Sequence, residues 1–168
     1  MKRQYALLPA FVVVMALAAI PAEARVVVRF VNPDSFTDIG AYEQDPRQTL
    51  AEIEQYLGRL GDRYLSPRDT LRIEVLDISL AGRSRWPRQA NSPVRTMTGE
   101  ADWPRFELRY TLEHDGGASS PVEETVVDTV YLRRLEWQYL WVSLPYEMRT
   151  LDQWFKARFA ESRATSAG

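Results

Sequence analysis

Apolar residues in this chain recur with two different periods, and the order in which those periods succeed one another limits the folds open to it. Val26, Val28 and Phe30 alternate with Val27 and Arg29, the period of a strand, and the run stops at the turn-forming Asn32-Pro33-Asp34. After an irregular stretch from Ser35 to Glu43, Leu50, Ile53, Leu57, Leu60 and Tyr64 fall on one stripe at helical spacing, opposite Glu52, Glu54, Arg59 and Asp62. Asp45 suits the cap of that helix, Pro46 its first position, and Gln48 the returning side of a capping box. Gly58 and Gly61 lower its intrinsic propensity but permit close approach to a sheet.

Thr70 to Leu80 reads as a second strand whose apolar phase changes from Leu71, Ile73 and Val75 to Leu76, Ile78 and Leu80, which predicts a bulge or burial of both faces. A third strand places Phe106, Leu108, Tyr110 and Leu112 inward and ends at Asp115-Gly116-Gly117, a hairpin signal. The expected return strand runs from Val122 to about Leu132, with Val122, Val126, Val130 and Leu132 in phase. Residues 135–142 fit either a strand or an aromatic-rich loop, and Leu144, Met148, Leu151, Phe155 and Phe159 share one face of a last helix. The order strand, helix, strand, strand, strand, helix predicts an α+β fold: a small, mostly antiparallel sheet of about four strands with two main helices packed on one face.

That domain is expected to occupy residues 25–160, with 161–168 as a disordered tail. Ahead of it, Lys2 and Arg3 precede an apolar run from Tyr5 to Pro21, and Ala22-Glu23-Ala24 offers small residues at the recognition positions. This is the layout of a cleaved secretory signal peptide over residues 1–24, and it predicts a periplasmic protein with no transmembrane segment after cleavage. A lipid anchor of the bacterial type needs a cysteine, and the chain has none, which also excludes disulfides and thiolate metal or catalytic sites.

Without the first 24 residues the chain carries 19 basic and 22 acidic side chains, a net charge of −3, so no general affinity for nucleic acid is expected. Of those basic residues only Lys156 is a lysine; the other 18 are arginines, a composition that favours bidentate pairing with carboxylates or phosphates, or that reflects genomic base composition.

Four stretches taken together resemble a bacterial exported family catalogued as domain of unknown function 3016. They are Phe30-Val31-Asn32-Pro33-Asp34-Ser35-Phe36-Thr37-Asp38, Asp77-Ile78-Ser79-Leu80-Ala81-Gly82, Asp102-Trp103-Pro104-Arg105 and Tyr146-Glu147-Met148-Arg149-Thr150-Leu151-Asp152-Gln153-Trp154-Phe155. The resemblance spans nearly all of the chain after residue 24 and implies an envelope protein without an assigned activity. Ser79 departs from the second acidic residue that the resemblance implies there, which counts against an obligatory two-carboxylate metal site.

Several residues stand out chemically. Asp77 and Asp128 share a phase with inward apolar neighbours, so both carboxylates need compensation. Together with Asp34 and Asp38 they form a candidate acidic site for acid/base work or a hard cation; the structural alternative pairs each with an arginine or a loop cap. Arg83, Arg85, Trp86, Arg88 and Arg95 lie in a long connection from residue 83 to 101, against the single acid Glu100, and make a candidate basic surface. Within it, residues 94–97 could add a short edge strand. Asp102, Arg105, Glu147 and Arg149 could form a network joining sheet to helix. The single histidine, His114, sits beside the hairpin turn, where exposure is the default and a catalytic base would need an orienting partner. No phosphate loop, nucleophile elbow or dinucleotide fingerprint occurs, and no cofactor or metal is expected. The first functional reading is therefore a non-catalytic module binding an envelope protein or an anionic envelope surface. The alternative is a small periplasmic enzyme or divalent-cation binder using the strand carboxylates.

Overall fold

In the computed structural model, which describes residues 25–40, 44–88, 91–133 and 136–165, the chain begins with a strand, β1 (Arg25–Phe30). The proposed signal peptide lies outside the described residues. A helix, α1 (Pro46–Tyr64), then carries the chain back to β2 (Asp69–Ser79), which pairs with β1 in parallel. Asp45 caps α1 as its sequence predicts, accepting the Arg47 backbone N–H at 2.9 Å. Gln48 does not complete a capping box; its amide donates to Glu52 one turn on. Gly61 is the close-approach residue, because a Cβ there would overlap Val26 Cγ2 on β1, whereas Gly58 faces open space.

β2 pairs antiparallel with β5 (Arg105–His114), and its register shifts between Val75 and Asp77. Leu76 is thus the bulge that the change of apolar phase anticipates. Asp115 and Gly116 follow, both at positive φ (47° and 84°), the two-residue turn that matches strand twist and favours an aspartate-glycine pair. The chain returns as β6 (Gly117–Ala118) and β7 (Val122–Val127), both against β5. A separate ribbon is made by β3 (Arg83–Arg85) and β4 (Val94–Thr96), so residues 94–96 do shorten the long connection. After β7, two short 3-10 turns at Tyr131–Arg133 and Trp137–Tyr139 lead into α2 (Pro145–Thr165).

The α+β class follows the periodicity, with a mixed five-stranded sheet and a two-stranded ribbon. The parallel β1–β2 pair was not foreseen, because hydrophobic period carries no strand direction; the connection through α1 is long enough for a parallel crossover. The return strand stops at Val127, and Val130 and Leu132 lie in the following turns, 42% and 41% exposed, where a period of two carried no strand. Residues 136–142 form turns, which settles the strand-or-loop alternative for the described part. The backbone of α2 continues helically past residue 160 to Thr165, where a disordered tail was expected to begin.

Leu71, Ile73, Val75 and Ile78 of β2, Phe106 and Leu108 of β5 and Val126 of β7 join Ile53, Leu57 and Leu60 of α1 and Leu151, Phe155 and Phe159 of α2 in one core. Alternate residues point the other way, and most of them are charged. Arg29, Glu74, Arg109 and Glu123 stand in register across β1, β2, β5 and β7, linked by ion pairs that include Arg109–Glu74 at 3.0 Å and Arg109–Glu123 at 2.6 Å. Such exposed pairs contribute roughly 0–1 kcal/mol each, so this row keeps a sheet face soluble more than it holds the fold.

Candidate functional site

β1 and β2 run in parallel, so their carboxyl ends lie together, and a cleft of about 950 Å³ opens there. Its walls come from the 3-10 turn after β1 (Pro33, Asp34) and the residues that follow it (Phe36, Thr37, Asp38), the end of β2, the start of the ribbon (Gly82, Arg83, Ser84) and the approach to β5 (Asp102, Trp103, Arg105). The volume is at the upper end for small-molecule sites.

Most carboxylates here are already engaged. Asp38 accepts both Nη atoms of Arg95, at 3.0 and 2.9 Å, as well as the Gly40 N–H at 2.8 Å. Arg95 also donates to the Ala81 carbonyl at 3.2 Å, so this fork fastens β4 to the ends of β1 and β2. Asp77 accepts the Thr37 N–H and hydroxyl, each at 2.7 Å, and the Arg105 guanidinium at 3.0 Å. The Asp77 carboxylate therefore pins the turn after β1 onto β2 and β5. Asp34 is exposed on the cleft wall without a side-chain partner among the described residues.

Asp128 stands apart from this group. Just beyond β7, it accepts the Val130 N–H at 3.0 Å and an ion pair from Arg149 of α2, whose side chain is completely buried. Asp77 and Asp128 thus have separate partners and do not face one another as a pair. Among the described residues, no group of three or more histidine, aspartate or glutamate side chains is placed to hold a metal ion.

The four residues read as a network form separate clasps. Asp102 accepts the Thr98 N–H at 2.6 Å, the Thr98 hydroxyl at 2.8 Å and the Tyr131 hydroxyl at 2.9 Å. Burial pushes its carboxyl up, but those hydrogen bonds outweigh burial and hold it below the usual carboxylate range. Burial, seconded by Asp102, pushes the Tyr131 phenol up to about 12. Tyr131 also meets Tyr146 of α2 edge to face, with ring centroids 4.9 Å apart. Glu147 is buried and accepts the Ala81 N–H at 2.7 Å; burial raises its pKa, partly opposed by that hydrogen bond and by Arg95. Arg105 joins Asp77 and Glu107, while Arg149 joins Asp128.

The ribbon is different in kind. Its base is fixed by the Arg95–Asp38 fork, by the Gly82 N–H donating to the Asp102 carbonyl at 2.7 Å and by Arg83 donating to the Ala101 carbonyl at 3.2 Å. Beyond that base, Arg85 and Arg88 are exposed with no side-chain partner among the described residues, and Trp86 between them is 63% exposed. Elsewhere arginines find carboxylates: Arg29, Arg47, Arg63, Arg68, Arg72, Arg105, Arg109 and Arg158 all do so at the surface. Arg25, Arg59 and Arg133 have no carboxylate partner among the described residues either, but they lie singly on β1, α1 and the turn after β7, whereas the carboxylate-free Arg83, Arg85 and Arg88 fall within six residues of one another.

Sequence reasoning missed two groupings. His114 has an orienting partner after all: Asp69, its cross-strand neighbour, lies 2.6 Å from Nδ1, and this hydrogen bond raises the histidine's pKa. The register of β2 on β5, not sequence distance, brings them together. Trp137, Leu140 and Trp141 are 78%, 58% and 88% exposed on the turn before α2. The sequence left residues 135–142 as a strand or an aromatic-rich loop, and their i, i+3, i+4 spacing, which puts the three on one side of a helical turn, was the signal that could have grouped them. Trp154, by contrast, is packed in the core as its place on the last helix suggests, its indole N–H donating to Glu124 at 3.1 Å.

Among known families, the one described as "Protein of unknown function (DUF3016)" matches residues 24–157. The chain belongs to that family. No curated protein and no solved structure matches it.

Proposed function

We propose that this member of the DUF3016 family is an exported, non-catalytic envelope module that holds an anionic partner on the β3–β4 ribbon. The observation that carries the reading is the distribution of arginine: carboxylates neutralise it over most of the surface, while Arg83, Arg85 and Arg88 flank an exposed tryptophan without one. Guanidinium groups not neutralised by a carboxylate suit bidentate contact with phosphate or carboxylate, and the indole adds a stacking face. Export is supported by the signal-like first 24 residues and by a family match that begins at residue 24. No helix among the described residues is long and apolar enough to cross a membrane. We take both helices to cover the same face of the sheet, which leaves the ribbon clear of them.

Retention on an immobilised polyanion tests this reading. Arg83→Ser, Arg85→Ser and Arg88→Ser together are expected to abolish retention at moderate salt. Arg25→Ser, Arg59→Ser and Lys156→Ser, which remove the same charge elsewhere, are expected to lower the eluting salt only slightly. Equal losses from the two triple variants would reduce the ribbon to ordinary surface charge.

The cation-binding or enzymatic alternative draws on the cleft at the ends of β1 and β2, where Asp38 and Asp77 already accept arginine or backbone donors and Asp34 stands without a side-chain partner among the described residues. To act as a general base or hard-cation ligand, Asp38 or Asp77 would have to give up those bonds.

A further inference from the structure

The segment between β7 and α2 exposes large apolar side chains that no part of the described chain covers. Trp137 opens a 3-10 turn that ends at Tyr139, and Leu140 and Trp141 follow it directly, the most exposed being Trp141 at 88%. The turn is held firmly underneath: Tyr139, buried, donates to Asp152 of α2 at 2.9 Å, and the Ser143 hydroxyl donates to Glu52 of α1. A rigid base presenting three apolar side chains outward is a protrusion, not a groove awaiting a peptide.

Both ends of this segment are pinned beside the basic ribbon. At its start Tyr131 bonds Asp102 and Leu132 contacts Gly99, in the stretch that leaves β4. At its end Glu147 bonds Ala81, two residues before β3. The segment that carries the apolar turn is therefore fixed at both ends near the base of the ribbon that carries Arg83, Arg85 and Arg88, while the turn itself rests on Asp152 and Glu52. Tryptophan concentrates where an apolar medium meets a wet one, and arginine adds attraction to an anionic headgroup layer.

We propose that the Trp137–Trp141 turn enters the interfacial layer of an anionic lipid bilayer, with Arg83, Arg85 and Arg88 contacting headgroup phosphates beside it. This rests on the anionic-partner reading and names its partner as a lipid surface. Charge alone would hold the chain at the surface reversibly; two indoles and a leucine add the apolar area that makes attachment persist at physiological salt.

The test uses vesicles of phosphatidylcholine with and without phosphatidylglycerol, and brominated lipid as a quencher of tryptophan fluorescence. The purified protein is expected to sediment with the anionic vesicles and to be quenched by brominated lipid. Trp137→Ala with Trp141→Ala is expected to lower partitioning roughly tenfold or more and to remove most of the quenching. Trp86→Ala is expected to keep the quenching, and circular dichroism is expected to stay unchanged because these side chains are solvent-facing. The arginine triple variant is expected to lose roughly a hundredfold in partitioning at low salt. Binding to anionic vesicles with no quenching, unaltered in the tryptophan variant, would overturn the wedge and leave the ribbon reading standing. Retention on polyanion without any vesicle binding would also overturn it, making the partner a soluble anion or acidic protein. Quenching that persists in purely neutral vesicles and in the arginine variant would keep the wedge and overturn the ribbon.

Discussion

Replacing Asp128 by asparagine removes the charge that compensates the most deeply buried cation among the described residues. The Arg149 side chain is 0% exposed, and its Nε and Nη1 have no hydrogen-bond partner among the described residues, so Asp128, itself nearly buried, is its compensating charge. Asparagine keeps an oxygen for the Val130 N–H but leaves a guanidinium in low dielectric. Breaking a buried pair in this way costs about 3–5 kcal/mol. For a domain of this size each kcal/mol lowers Tm by about 2–4 °C, so Asp128→Asn is expected to lower it by roughly 6–20 °C. Urea unfolding followed by circular dichroism gives the free energy directly. Asp128→Asn with Arg149→Met is expected to recover much of the loss, because an apolar side chain needs no counter-ion. A loss of under about 1 kcal/mol in the single variant would refute the reasoning, since Asp128 would then be available for work other than folding.

Gly61→Ala and Gly58→Ala lie one turn apart on α1 and are expected to act in opposite directions in the same unfolding assay. Against the stiff Val26, Gly61→Ala is expected to cost about 1–3 kcal/mol, while Gly58→Ala, facing open space, is expected to stabilise by up to about 1 kcal/mol. Glu147, with its pKa raised by burial, loses folded-state stability as pH rises from its unfolded pKa towards the folded one. Glu147→Gln, which keeps the acceptor for Ala81, is therefore expected to equal wild type at low pH and to surpass it at alkaline pH. Glu147→Ala strands the Ala81 N–H and is expected to cost about 1–3 kcal/mol at every pH. His114, whose pKa its hydrogen bond to Asp69 raises, contributes stability that is full below its unfolded pKa and fades as pH rises through the folded one. His114→Gln is accordingly expected to weaken the protein at mildly acidic pH and to matter less above neutrality, measured as Tm against pH.

Local features were readable in the residues themselves. The cap at Asp45, the close approach at Gly61, the bulge at Leu76 and the turn at Asp115-Gly116 each depend on neighbours a few positions away, and each stands where its residue types require. Direction and register are not local. The parallel pairing of β1 with β2, the meeting of Asp69 with His114 and the choice of Arg149 for Asp128 depend on which of many arginines and strands the fold brings near. The period of two that runs through Val126, Val130 and Leu132 misled because apolar residues after β7 serve turns at the surface. For residues 135–142 the pattern left a strand and an aromatic-rich loop both open, and nothing local said that Trp137, Leu140 and Trp141 would face solvent.

The central claim is that the β3–β4 ribbon is where this protein meets its partner, and photo-crosslinking in living cells tests it most directly. A photoreactive phenylalanine at Trp86 is compared with one at Lys156, an exposed position on α2. The account predicts adducts with an anionic envelope component from position 86, lost when Arg83, Arg85 and Arg88 become serine, and none from position 156. Equal adducts from both positions, unchanged by the arginine substitutions, would contradict it.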